Sequence, residues 1–344
     1  MIQDWSTLRN EVLKSHPEIA PTRRYPIQAL WFFVFCALIV GLSTLVIQVL
    51  PQSGWLAFAL SLILGATYGS FALYAHELLH GSILKNSWVT HVMGFFGFLV
   101  VGLSPEIWLT WHNRVHHFNT NKSGIDPDSF GLWEDFKKYP MIDFVLKRSP
   151  GSGHWLSWVY LPLNFSNQTI TVTWYLMWKG DPKYYFTANK ALVVFETLLT
   201  YVFWGALLAW VGWKAWILIY IVPLLMTNVI GSSYILVQHL LCPLTDKNDP
   251  LENTLGVTTL PFLDRIHFRF SHHVEHHFFP EMNHVELPQL RKLLMADYPN
   301  RYRCMSHLRA LTLLLTTPRV YQDQATLWDP YSKKVFDVSA LGRS

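Results

Sequence analysis

Residues 54–80 read GWLAFALSLILGATYGSFALYAHELLH, an apolar run that ends in the cluster His76-Glu77-Leu78-Leu79-His80. No charged residue occurs in it before Glu77. A hydrocarbon core ~30 Å thick is crossed by ~20 helical residues, so the run is long enough to span a bilayer. From Trp55 to His80 the chain has 26 residues, which make ~39 Å of helix at ~1.5 Å per residue. The surplus carries the histidine end out of the hydrocarbon. Spaced i to i+4, the two rings fall on one helix face, and a neutral imidazole is a strong ligand for iron, copper or zinc.

Three more runs share this character. Ala29–Leu50 is uncharged, Ala191–Gly212 carries only Glu196, and Trp213–Cys242 carries only Lys214 and ends close after His239. Only 15% of the chain is charged, against ~25% in a typical soluble protein. The sequence therefore predicts an all-α integral membrane protein with four transmembrane helices, over about 29–50, 54–78, 190–211 and 214–240. Of the 27 Lys and Arg residues, only Lys214 falls in the two proposed outward turns, Pro51–Gly54 and Val211–Lys214. By the positive-inside rule both termini and all the histidine clusters face the cytoplasm. The basic residues are scattered among acidic ones beside membrane segments, which argues against nucleic acid as a partner. The three cysteines, Cys36, Cys242 and Cys304, form no Cys-x-x-Cys pair, so no disulfide framework or zinc ribbon is expected. The opening Met1-Ile2-Gln3-Asp4-Trp5 lacks the basic-then-apolar pattern of a signal peptide, so the first span is expected to be an uncleaved anchor.

The chain reads as one domain over 1–344, with a histidine-rich cytoplasmic cap built from 81–186 and 243–344. Residues 1–28 form a polar segment with a short amphipathic helix. If Trp88–Ser104 crossed the membrane, the first and second histidine clusters would face opposite sides. It is therefore expected to be re-entrant or interfacial. Trp155–Trp178, with Asn164, Asn167 and Gln168, suits an interfacial helix with an aromatic belt. Leu308–Leu315 is an apolar stretch suited to rest on the membrane surface, and Gly65 and Gly69 make a small-xxx-small pair for close helix packing.

The second and third clusters are His112-Asn113-Arg114-Val115-His116-His117 and His272-His273-Val274-Glu275-His276-His277. With His239 they bring the candidate ligands to nine: His76, His80, His112, His116, His117, His239, His273, His276 and His277. His272 competes with His273, since both stand at helical spacing from His276. Nine exceed the four ligands of one zinc, which in any case has no redox chemistry. Two metal ions with open positions for oxygen or water fit the count. Glu77, Asp126, Asp128 and Glu275 are placed to orient ligand rings through their second nitrogens, whereas His91, His154, His267 and His284 read as structural or as supports behind the ligand rings. A membrane metal transporter or sensor is the alternative from another class. It would need ionisable residues near the centres of the spans, and these lack them.

The boxes HELLH, HNRVHH and HVEHH resemble those of the membrane fatty acid desaturase superfamily, which also holds alkane and sterol-type hydroxylases. The context is similar too, in Thr120-Asn121, Asp126-Pro127-Asp128 and Phe278-Phe279-Pro280-Glu281-Met282. The resemblance covers roughly residues 28–300. It implies a four-span mushroom-like fold, two irons, molecular oxygen as co-substrate and an external electron source. His239 stands where the family carries an extra ligand at the end of its fourth span, and the family pattern favours His273 over His272. No His-Pro-Gly-Gly signature is present, so the donor is expected to be a separate ferredoxin-like or cytochrome b5-like protein. The expected activity is desaturation of a long acyl chain, in a bacterial inner membrane or the endoplasmic reticulum. Hydroxylation or alkene-forming decarboxylation on the same scaffold are alternatives. The carbon attacked and the acyl carrier are not legible.

Overall fold

The structure is a computed structural model that describes residues 4–138, 142–185 and 187–343. Met1–Gln3, at the head of the expected uncleaved N-terminus, lie outside the described residues. The fold is mostly helical, with 63% helix and little sheet. Four helices are long and apolar enough to cross a membrane: Pro26–Val49, Gly54–Leu79, Lys190–Val211 and Trp213–His239. The expected spans and these helices agree to within a few residues. The chain divides into two compact units, residues 24–110 with 162–232, and residues 1–23 with 111–161 and 233–344.

The first unit holds the apolar helices up to residue 232. Hydrocarbon offers no hydrophobic drive for helices to associate, so close van der Waals packing at small residues has to hold them. Gly65 supplies it. A Cβ there would lie 2.6 Å from Met226 Cβ and 2.9 Å from Pro223 Cα, and Thr227 Oγ1 donates to the Gly65 carbonyl at 3.2 Å. Gly69 meets Ile230 as closely. Ser53 caps the helix Gly54–Leu79 by accepting from Leu56 N at 3.3 Å, satisfying one of the amides a helix start leaves unpaired.

The stretch expected to be re-entrant forms the helix Trp88–Phe98. Its 11 residues make ~16 Å, about half a hydrocarbon core. Gly94 and Gly97 let it lie against Leu79 and Ala75. Glu196, the acid of the third span, is buried and fully engaged. His91 Nε2 contacts its Oε1 at 2.5 Å, and Ser104 Oγ donates to its Oε2 at 2.5 Å. An intramembrane carboxylate survives only with such partners. The hydrogen bond to Glu196 raises the His91 pKa above its ordinary value, against burial.

In the second unit the helix Trp5–Ser15 is capped by Asp4, which accepts from Ser6 N at 3.3 Å. Leu8 and Val12, one turn apart, enter a core with Leu251, Val274, Phe278, Phe279, Leu290 and Leu294. A parallel pair, Gly256–Thr258 with Cys304–Ser306, ties the tail to the segment ahead of the third histidine cluster. A small antiparallel sheet of Val320–Tyr321, Thr326–Trp328 and Val335–Asp337 follows. Arg303, fully buried, donates to the carbonyls of Val338 and Leu341 at 2.9 Å each. Two exposed tryptophans, Trp155 and Trp158, sit in a 3₁₀ turn that leads into the helix Tyr160–Lys179.

Replacing Gly65 by Leu should lower the thermal midpoint in detergent by several degrees, because the backbone of Pro223 cannot retreat. Gly41→Leu, with nothing within 4 Å of its Cβ, should leave the midpoint unchanged. The raised His91 pKa stabilises the fold fully below about pH 6.5, the ordinary value, and that contribution is lost as pH rises through the folded-state value. The midpoint should therefore fall, as pH rises past the ordinary histidine value, more steeply in wild type than in His91→Gln.

Candidate metal centre

Seven of the nine candidate ligands belong to the second unit, and the local backbone explains how they meet. The second box lies on a π-helical turn, Leu109–His116, where the His112 and His116 rings stack 5.1 Å apart. Its i to i+5 repeat brings His117 beneath His112, with their Nε2 atoms 3.2 Å apart. His116 is thereby turned toward His239 and His277, and the three could hold one metal ion. His273, His276 and His277 come from the short helix His273–Phe278. His273 Nε2 lies 2.7 Å from His239 Nε2, and the rings of His117 and His276 are 4.9 Å apart.

Hydrogen bonds at the outer nitrogens decide which ring atom faces inward. Asp126 Oδ1 is 2.9 Å from His116 Nδ1, and a carboxylate accepts, so Nδ1 carries the proton and Nε2 a bare lone pair. Thr120 does the same for His277 by a less direct route. Its hydroxyl proton is committed to the His116 carbonyl at 2.8 Å. The oxygen, 3.2 Å from His277 Nδ1, therefore accepts from it. His116 Nε2 and His277 Nε2 are buried without a hydrogen-bond partner among the described residues, an arrangement that is costly unless something fills it. The donor set thus fits a transition metal. Burial, then the neighbouring His117, His273, His116 and His239, hold the His277 pKa well below its usual value, which keeps the ring neutral and ligating.

A further layer fixes the backbone. Asn121 sits at φ 53°, a left-handed conformation that Asn tolerates better than most residues. Its Nδ2 donates to the carbonyls of His239 at 2.9 Å, Pro243 at 3.2 Å and Asn253 at 3.3 Å. Its own amide donates to Asp126 Oδ2 at 2.7 Å, so one residue links the His116 support to the end of the fourth span. Asn248 Nδ2 holds the His117 carbonyl at 2.5 Å, and Trp5 Nε1 donates to the His277 carbonyl at 2.8 Å.

Of the other expected residues, Asp128 Oδ2 stands 3.4 Å from His116 Nδ1. Glu275, on the third-box helix, is engaged by Arg291 Nε at 3.2 Å and by the Tyr302 hydroxyl, so it anchors that helix rather than a ring. His272 faces Ser271 Oγ at 3.0 Å, and burial lowers its pKa to about 4. His154 accepts from Leu156 N at 3.2 Å, His267 bonds the Tyr234 hydroxyl at 3.1 Å, and His284 packs on Phe268.

His76 and His80 belong to the first unit, buried at the end of the second span with ring centroids 4.5 Å apart. Trp108 packs edge-on against both, at 5.3 and 5.2 Å. Trp108 ends a short helix whose cap is Ser104, the residue that donates to Glu196. The acid of the third span therefore positions the tryptophan that braces the first box. Glu77 lies 3.7 Å from His76 Nδ1 and accepts from Ser82 Oγ at 3.2 Å.

The sequence pattern of one family, described as fatty acid desaturase, matches residues 53–309. The chain belongs to the fatty acid desaturase family. It is also similar to an acyl-lipid (7-3)-desaturase of Rebecca salina, with 23% identity over 314 residues, 82% of this chain. The chain spans 64% of that relative's length.

Asp126→Asn should weaken metal affinity by about 10–100-fold, read by competition with a chromophoric chelator, with helix content unchanged. Asn121→Ala, which leaves three carbonyls short of a donor, should cost about 1–3 kcal/mol of stability and lower metal retention, whereas Asn121→Gly, which keeps the backbone conformation, should show the same metal loss.

Proposed function

We propose that this protein is an oxygen-dependent di-iron desaturase that introduces a double bond into a long fatty acyl chain. The observation that carries the reading is the pair of buried Nε2 lone pairs on His116 and His277, each fixed by a hydrogen bond at Nδ1. Family membership supports it, and so does the acyl-lipid desaturase named among its relatives.

The proposed ligands are His76, His80, His112, His116, His117, His239, His273, His276 and His277. Two irons held by them would supply activation of molecular oxygen and removal of two hydrogens from adjacent acyl carbons. The chain's own residues hold and tune the rings. Asp126 raises the basicity of His116, Thr120 fixes the tautomer of His277, and Asn121 sets the height of His239. Burial of the rings excludes bulk water, which strengthens every charge interaction there. No side chain is required as a general base. Electrons come from a separate ferredoxin-like or cytochrome b5-like donor. The proposed setting is a bacterial inner membrane or the endoplasmic reticulum, with one functional domain whose histidines face the cytoplasm, a reading that the four spans support.

The test is expression in a host with a simple fatty acid profile, followed by mass spectrometry of total acyl chains. A new olefin that depends on oxygen and vanishes in His277→Ala is expected. A hydroxylated or shortened product would move the activity to the hydroxylase or decarboxylase alternative.

A further inference from the structure

Among the described residues of the second unit, the most exposed large apolar side chains are Trp155, Trp158, Leu260, Phe262 and Leu308, each between 68% and 77% exposed. They come from distant stretches of sequence, and one helix, His307–Thr316, joins them. Ser306, its cap, pairs with Thr258 in the parallel strand pair, so Leu308 and Leu260 leave that pair at the same end. Phe262 follows in the helix Pro261–Ile266. At the other end of His307–Thr316 the Gly151 turn packs so closely that a Cβ on Gly151 would lie 3.0 Å from the Leu314 carbonyl oxygen. That turn leads straight into Trp155 and Trp158. Single exposed apolar residues are ordinary, whereas a row of them assembled from separate segments marks an interaction surface.

The helix between the two ends suits apolar surroundings. Its outward threonines keep their hydroxyl protons within the helix: Thr312 Oγ1 donates to the Leu308 carbonyl at 2.9 Å, and Thr316 Oγ1 to the Thr312 carbonyl at 2.6 Å. Such back-bonding removes the need for water at the exposed face. On the inner face Ala310 and Leu314 are fully buried. The helix is also tied to a span. His307 Nε2 donates to the Ser233 carbonyl at 3.0 Å, and its ring stacks on Tyr234 with centroids 4.5 Å apart. Ser233 precedes His239 by about 9 Å of helix, within the candidate span Trp213–His239. Arg309 adjoins Leu308 in sequence, Arg265 lies a turn after Phe262, and both are exposed. Tryptophans at the headgroup level and basic residues beside an inserted apolar face are the usual furniture of a membrane interface.

We propose that this edge of the second unit is a membrane-contact surface. The helix His307–Thr316 lies in the interfacial layer of the leaflet from which the fourth span emerges at His239. Trp155 and Trp158 anchor one end of it, and Leu260, Phe262 and Leu308 insert at the other. Arg265 and Arg309 then meet anionic headgroups. The partner is the lipid surface itself, and the surface stands whatever reaction the histidines support. Its consequence is geometric: because His307 holds the fourth span at Ser233, the edge fixes the height of His239 over the hydrocarbon.

Spin labels on Phe262→Cys and on Leu308→Cys test this in the full chain, with Cys36→Ser and Cys304→Ser, reconstituted at one copy per lipid nanodisc. Leu38→Cys, 47% exposed on the first span, is the lipid reference. Gln52→Cys, exposed in the turn between the first two spans, is the water reference. Dissolved oxygen concentrates in lipid and a nickel chelate in water, so the ratio of their collision rates with the label reads its depth. At Phe262 and Leu308 the ratio should stand several-fold above that at Gln52, between the two references. Ratios equal to that at Gln52 would overturn the surface. Labels open to water in single-copy discs, but shielded and broadened by each other when two copies share a disc, would give the edge to a second copy of this chain instead. With Arg265→Glu and Arg309→Glu together, the Leu308 ratio should fall toward the water value in phosphatidylglycerol discs and hold in phosphatidylcholine. An equal fall in both lipids would overturn the role given to the arginines.

Discussion

Buried imidazoles have two nitrogens to satisfy, and in this protein the outer one is satisfied by the chain. Asp126 accepts a hydrogen bond from His116 Nδ1–H, and the Thr120 oxygen accepts one from His277 Nδ1–H. The inner nitrogens are then left bare in a dry environment. Without a metal such an arrangement is unfavourable, and with one it is preorganised. The second unit's hydrogen bonding around the second and third boxes follows from this constraint. Asn121 spans His239 and Asp126, Asn248 holds the second box, and Arg291 with Tyr302 pins the third-box helix through Glu275. The N-terminal helix belongs to the same scheme, since Leu8 and Val12 fill the core beneath the third box while Trp5 caps a carbonyl within it.

The unit that carries the first box meets its own version of the problem. Its polar groups lie among apolar helices, where an unsatisfied group has no water to turn to. Glu196 resolves this by taking both His91 and Ser104. The bond to Ser104 fixes the turn that presents Trp108 to His76 and His80. A residue that looks from composition like a blemish in a span is thus part of the support for two candidate ligands. Small residues do the remaining work: Gly65, Gly94 and Gly97 bring helices together at distances no larger side chain would permit.

Much of this was legible in the sequence because its signals are local and strong. Uncharged runs of membrane length gave four spans, and three histidine clusters with family-like flanking residues gave the candidate ligands. The short Trp88–Phe98 helix followed from the requirement that the first two clusters not be separated by a membrane. The rest depends on geometry that spacing does not carry. The spacing put the His112 and His116 rings together, 5.1 Å apart in the structure, but did not show the π-helical turn that also brings His117 to His112. Thr120 and Asn121 stood out only as family context, because nothing in the residue types tells which carbonyls an amide will reach. Trp5 lies 272 residues from the carbonyl it caps, beyond any local pattern. Glu275 beside two histidines looked suited to orient a ring, but an arginine and a tyrosine from the tail claim it first.

Everything in this arrangement turns on the metal. Elemental analysis of the purified full chain, wild type beside His116→Ala and His276→Ala, tests it most directly. About two irons per chain in wild type, lost in both variants while the helices remain, is the result predicted. Stoichiometric zinc in protein prepared with iron available, or a metal content indifferent to both substitutions, would contradict it.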